Sequence, residues 1–210
     1  MKYTTEEIYH IFNRNLSGLK TFKKKCDSMR FLELIIYYQY RITPCPFSHL
    51  NRQAVKLNYN LRDYVHETVA DNDKLVEIIA YCIMPNHFHL LLKQKTDNGI
   101  SIYLNNVLNG FTRYYNIKND RKGPIWIGRS KNVHVNSDEQ LWQVSRYIHL
   151  NPVEANLVRR PDEWVNSSYS EYIGDIPEED HLCNKALFFD SDPSEYIQFV
   201  KNNPTDAVGN

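Results

Sequence analysis

Two short apolar segments separated by a proline turn constrain the fold of this chain more than any other feature. Residues 75–84 read LVEIIAYCIM and residues 87–93 read HFHLLLK, with Pro85 and Asn86 between them. Both segments are rich in aliphatic residues and short, and turn residues separate them, which is typical of buried central β-strands. The sequence therefore predicts a strand hairpin at the centre of the fold.

The segments on either side of this hairpin alternate between strand and helix patterns. Residues 9–14 alternate apolar and polar side chains and predict a first strand, whereas residues 27–40 carry apolar side chains at helical spacing, with Asp27 as the predicted N-cap. Residues 100–117 have one apolar stripe and predict a helix, and residues 123–135 predict a short strand region. This order predicts an α+β fold, a ferredoxin-like antiparallel sheet flanked by helices.

Two further segments complete the predicted organisation. Residues 138–150 predict another helix, which we expect to end before Pro152 because a residue that precedes proline is disfavoured in a helix. Residues 47–73 are polar and less regular, with a helix predicted around residues 61–69.

Length and composition exclude several classes of protein. With 210 residues, of which 42% are hydrophobic and 24% charged, the chain fits one globular domain rather than a disordered or collagen-like chain. The longest apolar run, residues 78–84, is far shorter than the roughly 20 residues that cross a bilayer, so we expect no membrane partner. The first residues lack a secretory signal, and the four cysteines have no paired spacing. We therefore expect a cytoplasmic protein with reduced thiols.

Charge is distributed unevenly along the chain, although the formal net charge is zero. Residues 1–131 contain 20 Lys and Arg against 11 Asp and Glu, whereas residues 132–210 contain 5 against 14. A basic first part suits a polyanion such as nucleic acid, and an acidic end suits a solvated tail or a partner surface. An ordinary charge dipole with no ligand would give the same counts.

His87 and His89 are the first candidates for chemistry. They are two residues apart on a predicted strand, so both imidazoles project from the same face of the sheet and could hold one metal ion. The alternative is a pair of histidines that only fills a polar sheet face, because the HxH pattern alone is not specific.

Tyr147 and Asn151 are the second pair of candidates. Their spacing places them on neighbouring turns of the predicted helix. At 100° per residue, Tyr147 lies on a polar stripe and away from the apolar face, which favours an exposed phenol. A surface tyrosine with a structural hydrogen bond is the alternative. Tyr114 and Tyr115 are competing phenols, but both end an apolar stripe, where an aromatic is more often part of the core.

Four ordered blocks resemble the single-tyrosine HUH transposases, in the REP-associated tyrosine transposase branch. The resemblance spans about residues 9–172. The blocks read YCIMPNHFHLLLK, GISIYLNNVLNGFTRYYNIKNDRKGPIWIGR, SRYIHLNPVEANLV and WVNSSY.

This resemblance implies a fold, an activity and a set of site residues. The fold would be that of the HUH nucleases, formed by residues 1–172, followed by an acidic extension over residues 173–210 with no assigned role. His87, His89 and Asn151 would bind a divalent metal ion, Mg or Mn. Tyr147 would attack DNA and form a covalent 5′-phosphotyrosine. The substrate would be single-stranded DNA with a hairpin, cut and rejoined by a nucleoid-associated monomer or homodimer.

Several basic and aromatic residues are candidates for contact with that DNA. We expect basic contacts from Arg14, Arg113, Arg129 and Lys131, and base stacking on Trp126 or Tyr115. Each has an ordinary alternative, a solvated surface charge or a core aromatic.

Two other functions fit the same residues. A non-catalytic descendant of a transposase would bind single-stranded or hairpin DNA and keep only the basic surface and the fold. A metal-dependent hydrolase would keep the histidines but form no covalent adduct. DNA cutting and formation of a protein-DNA adduct together distinguish the three.

Overall fold

The computed structural model describes residues 3–41, 74–186 and 193–202, together with Phe47 and His49. The predicted helix around residues 61–69 lies outside these described residues. The elements are β1 (Ile8–Arg14), α1 (Lys25–Tyr37), β2 (Val76–Met84), β3 (His87–Gln94), α2 (Gly99–Lys118), β4 (Lys131–Val135), α3 (Asp138–Glu154), α4 (Tyr169–Tyr172) and α5 (Pro193–Asn202), with 3-10 turns at Pro161–Glu163 and Glu178–Asp180.

The strands of the described ranges form one antiparallel sheet in the order β2-β3-β1-β4. Because each strand pair is antiparallel and the two central strands are β3 and β1, this is the ferredoxin-like arrangement that the element order predicted. The α+β fold class is therefore confirmed. Within the described ranges, no helix has the length and the hydropathy required to span a membrane.

The two faces of β3 serve different purposes. Phe88 packs on one face against Phe31 of α1 and against Trp126, with ring centroids 5.1 and 5.5 Å away. His87 and His89, which alternate with Phe88, project from the opposite face, toward α3. The hydrophobic core thus fixes the sheet from one side and presents the histidines on the other.

Asp27 is not the N-cap of α1, contrary to prediction. The helix begins at Lys25 after an extended Lys24, and it ends at Tyr37 rather than at residue 40. Asp27 lies in the first turn, where its buried carboxylate accepts hydrogen bonds from the Tyr114 hydroxyl and the Lys118 ammonium group of α2. The carboxylate therefore pairs with a neighbouring helix and not with the helix backbone.

The prediction that α3 ends before Pro152 is wrong, because the helix continues to Glu154. Asn151 and Pro152 are both buried, so packing outweighs the local preference against a helical residue before proline. A proline inside a helix removes one backbone N–H, and the helix resumes with the Ala155 N–H donating to the Asn151 carbonyl. Asn151 consequently stays one helical turn after Tyr147.

The described part of residues 173–210 is packed against the rest of the fold. Tyr196 of α5 is fully buried, and its hydroxyl lies 2.6 Å from His149 Nδ1 and 3.1 Å from Ser145 Oγ of α3. Phe199 packs edge-on against Trp142 at 5.1 Å. This part of the acidic extension is thus attached to the helix that carries Tyr147.

The cysteines agree with the expected reduced state in the described residues. Cys26, Cys82 and Cys183 have free thiols, and Cys45 lies outside the described ranges.

Candidate active site

An open cleft of about 500 Å³ lies where β1, β3, α3 and residues 127–131 meet. It brings together most of the residues singled out from the sequence. The cleft is lined by Phe12, Asn13, Arg14, His87, His89, Ile127, Arg129, Lys131, Tyr147 and Asn151. Arg113 lies exposed on α2 and does not line the cleft, so its contact with DNA stays a prediction.

His87 is half-buried and held by an amide on each side of its ring. Its Nδ1 lies 2.7 Å from Asn86 Oδ1, and its Nε2 lies 3.4 Å from Asn151 Oδ1. Burial lowers the pKa of His87, so the ring is neutral near pH 7. Both amide oxygens can only accept, and the shorter contact, at Nδ1, favours the single proton on that atom. The lone pairs of His87 Nε2 and Asn151 Oδ1 then face each other, an arrangement that fits a cation between them.

His89 is buried and contacts a third histidine. Its Nδ1 lies 2.9 Å from His10 Nε2, and its ring is 5.1 Å from that of His87. Burial, with the charges of His10, His87 and Arg14, lowers the pKa of His89 to about 2. Burial alone lowers the pKa of His10 to about 4. Both imidazoles are therefore neutral, as a metal ligand must be.

The donor set contains no carboxylate or thiolate. Among the described residues, no three His, Cys, Asp or Glu side chains converge as ligands of one metal ion. The candidate set is instead two imidazoles and the Asn151 amide; mixed nitrogen and oxygen donors of this kind are compatible with Mg or Mn, and the absence of a thiolate argues against structural zinc.

Tyr147 is the tyrosine of the cleft. Its side chain is 43% exposed, as its place on the polar stripe predicted, and its ring meets His89 edge-on at 5.5 Å. The Asn151 amide nitrogen lies 3.4 Å from the Tyr147 carbonyl oxygen, as a hydrogen-bond donor. The competing phenols lie elsewhere, because Tyr114 is bonded to Asp27 and Tyr115 packs against Phe111.

The basic rim of the cleft is fastened to β1. The Asn13 amide donates to the Gly128 carbonyl at 3.4 Å and to Ser130 Oγ at 3.3 Å, and the Ile127 N–H donates to the Arg14 carbonyl at 2.8 Å. These bonds hold residues 127–131, which carry Arg129 and Lys131, beside the histidines. Ile127 adds a 51% exposed apolar side chain at the edge of the cleft.

Trp126 does not provide a stacking surface, contrary to one of the sequence-based expectations. Its indole is buried among Phe22, Phe31 and Phe111, and the indole N–H donates to Thr112 Oγ at 3.0 Å. A ring packed on these sides cannot receive a base.

His10 is the site residue that sequence reasoning missed. The alternation of β1 places His10, Phe12 and Arg14 on one face, and the register with β3 pairs Phe12 with His89 and Arg14 with His87. The alternation was visible in the sequence, and the predicted fold implies that β1 lies beside β3, but the register that brings His10 to His89 was not visible.

Comparison with known proteins supports one family. The model of the IS200-like transposases matches residues 37–151, more than half of the chain. A relative from Haemophilus influenzae, assigned to the REP-associated tyrosine transposases, is 29% identical over 103 residues, which cover 44% of this chain and 58% of the relative. The matched region thus spans just over half of that relative.

A solved structure supports the fold independently. It is a REP-associated tyrosine transposase bound to a REP hairpin, and it aligns with a TM-score of 0.56 over 87% of this chain and 89% of its own, at 15% identity. At that identity the likeness concerns the fold, the HUH fold expected from the sequence. Since the family model covers more than half of its residues, the chain belongs to the IS200-like transposase family.

Proposed function

We propose that this protein is a metal-dependent transposase or endonuclease that nicks and rejoins single-stranded DNA through a covalent 5′-phosphotyrosine on Tyr147. The observation that carries the proposal is that an exposed phenol, two imidazoles and an amide share one cleft whose rim is basic. Among the described residues that line it, none is acidic. Such a cleft suits a phosphate group.

His87, His89 and Asn151 are the residues that would hold Mg or Mn. When bound, the ion would neutralise charge on the phosphate oxygens, and because its protein ligands are neutral its full charge would act there. The partners on the ligands support this assignment. Asn86 fixes the ring of His87, and His10 contacts the ring of His89.

Tyr147 would be the nucleophile. Its phenolic oxygen forms a bond to phosphorus while the bond to the 3′ oxygen breaks, which leaves the 5′ phosphate on the protein and a 3′-hydroxyl on the other fragment. Arg14, Arg129 and Lys131 would bind neighbouring phosphates and position the strand. Attack by a second 3′-hydroxyl reverses the step, so strands are rejoined without ATP.

The proposed substrate is single-stranded DNA that carries a hairpin. Support comes from the basic character of residues 1–131 and from the solved relative, whose structure contains a REP hairpin. Groups that stack bases and bind backbone phosphates do not require a duplex.

The test is an adduct assay with a labelled hairpin oligonucleotide, Mn²⁺ and denaturing electrophoresis. Wild type should give a protein band that carries the label, and Tyr147→Phe, which removes only the phenolic oxygen, should give none. Tyr115→Phe is the matched control and should form the adduct as wild type does.

Each other outcome identifies another function. Cutting without an adduct would make the protein a hydrolase, and binding without cutting would make it a DNA-binding module. An adduct that persists in Tyr147→Phe would assign the nucleophile to a different tyrosine.

A further inference from the structure

His10 on β1 is a buried histidine with no part in the proposed chemistry. It is 6% exposed, and its ring stacks on that of His89 with centroids 5.1 Å apart. Phe12 and Tyr147 flank it at 5.1 and 5.9 Å. The ring thus lies among aromatic neighbours, with its Nε2 atom 2.9 Å from Nδ1 of a candidate metal ligand.

One proton lies between these two nitrogen atoms, and its position decides what His89 can do. If His89 Nδ1 carries the proton and donates to His10 Nε2, the His89 Nε2 lone pair is free. If His10 Nε2 carries it, the proton of neutral His89 sits on Nε2 and blocks that atom. A histidine that binds a metal ion is a neutral imidazole, which carries one proton on its two nitrogen atoms.

We propose that His10 is a positioning residue that accepts the Nδ1 proton of His89 and so holds His89 in the tautomer whose Nε2 can bind a metal ion. The inference rests on the proposed function of the cleft. The same arrangement occurs at His87, whose Nδ1 has Asn86 Oδ1 at 2.7 Å. An Nδ1 hydrogen bond of this kind accompanies nearly all metal-binding histidines and fixes both ring orientation and tautomer.

The first experiment measures the tautomer directly in the wild-type protein without metal. Long-range ¹H-¹⁵N correlation spectra of histidine-labelled protein at pH 7 should show His89 protonated on Nδ1 and bare on Nε2. A proton on His89 Nε2 would overturn the inference.

The second experiment measures Mn²⁺ affinity by calorimetry in variants of His10. His10→Phe keeps the ring volume and removes the acceptor, so affinity should fall roughly 10- to 100-fold. His10→Gln restores an acceptor oxygen at a similar reach and should recover most of that loss. An affinity in His10→Phe equal to that of wild type would overturn the inference.

Two controls separate hydrogen bonding from packing. Phe12→Leu trims another ring that packs against His89, at 5.8 Å, and should lower Mn²⁺ affinity by clearly less than His10→Phe does, because it removes packing and no hydrogen-bond acceptor. His134→Phe is the same substitution on β4, away from the cleft, and should leave Mn²⁺ affinity unchanged. Equal losses in Phe12→Leu and His10→Phe would mean that His10 only packs.

Failure of the inference differs from failure of the proposed function. If wild type binds no Mn²⁺ even when hairpin DNA is present, the metal-dependent function is wrong, whereas the NMR measurement still decides the tautomer. If wild type binds Mn²⁺ with His89 protonated on Nε2, only the role of His10 is wrong. Circular dichroism checks the fold of each variant, and should His10→Phe not fold, the NMR result and His10→Gln decide.

Discussion

Asn86, His10 and Tyr147 belong to three different segments, yet all contact the two histidines of β3. The orientation of each imidazole is thereby set by a neighbour outside its own strand. At the scale of single residues, this explains how two ordinary histidines become a site.

The His87→Ala variant tests whether that site holds the metal. Under the proposed function, it should abolish Mn²⁺ binding and DNA cleavage, because one of the three proposed ligands is lost. DNA affinity should fall by less than about 3-fold, since contacts to phosphates supply most of it. Calorimetry, the cleavage assay and fluorescence anisotropy measure the three quantities.

Asn86→Ala is the graded counterpart, because it removes only the Nδ1 acceptor of His87. Mn²⁺ affinity should fall about 10- to 100-fold and not vanish. Full cleavage by chelator-treated protein, or by His87→Ala, would show that cleavage does not depend on a metal ion at this site.

Local sequence spacing identified part of the site and missed the rest for a physical reason. His87 and His89 follow the two-residue period of a strand, and Tyr147 and Asn151 follow the turn of a helix, so local spacing predicts that each pair shares one face, as it does in the cleft. The contact of His10 with His89 depends on the register between β1 and β3, which joins residues distant in the sequence. The burial of Trp126 depends on its packing partners in the same way.

At the scale of elements, the sequence predicted the order of strands and helices and erred at their ends. The errors have a common cause. Asp27 does not cap its own helix but bonds to a neighbouring helix, and Pro152 is buried within α3. Tertiary contacts therefore set these helix ends, which local sequence rules do not include.

The start of α2 is fixed by a close approach of two backbones. A Cβ atom added at Gly99 would lie 2.1 Å from the carbonyl oxygen of Leu75. Gly99→Ala should therefore lower the free energy of unfolding by about 1–3 kcal/mol, measured by urea denaturation. At Gly110 the added Cβ meets side chains only, Leu34 at 3.3 Å and Tyr38 at 3.7 Å. Gly110→Ala should be neutral or stabilise by up to about 1 kcal/mol, and equal effects at both positions would contradict this account.

The docking of α5 on α3 depends on one buried hydroxyl. Tyr196→Phe removes the hydrogen bonds of the hydroxyl with His149 and Ser145 and leaves the buried His149 Nδ1 without this partner, at a cost of about 1–3 kcal/mol. Amide hydrogen exchange in α5 should be faster in Tyr196→Phe than in wild type. Tyr172→Phe, whose hydroxyl donates to the Ile79 carbonyl of β2, is the matched control and should leave exchange in α5 unchanged. Unchanged exchange in Tyr196→Phe would show that the aromatic packing alone holds α5.

At the scale of the whole molecule, the uneven charge predicts how binding responds to salt. Under the proposed function, affinity for hairpin DNA should fall linearly on a log-log plot as salt rises. Arg129→Ala should reduce the slope by about one unit. Arg160→Ala is the control, since Arg160 pairs with Asp162 outside the cleft, and should leave the slope unchanged. A wild-type slope in Arg129→Ala would mean that the DNA does not follow this rim.

The cleft is lined by positively charged side chains and neutral metal-ligand candidates, and this composition has a thermodynamic consequence. A free divalent ion finds no negative charge among the described residues of the lining, so the protein alone should hold it weakly. A phosphate group supplies the missing charge, and linkage makes the effect reciprocal: DNA tightens metal binding by the same factor by which metal tightens DNA binding. Under the proposed function, ion and substrate are taken up together, and neither alone saturates the protein at concentrations at which the pair does.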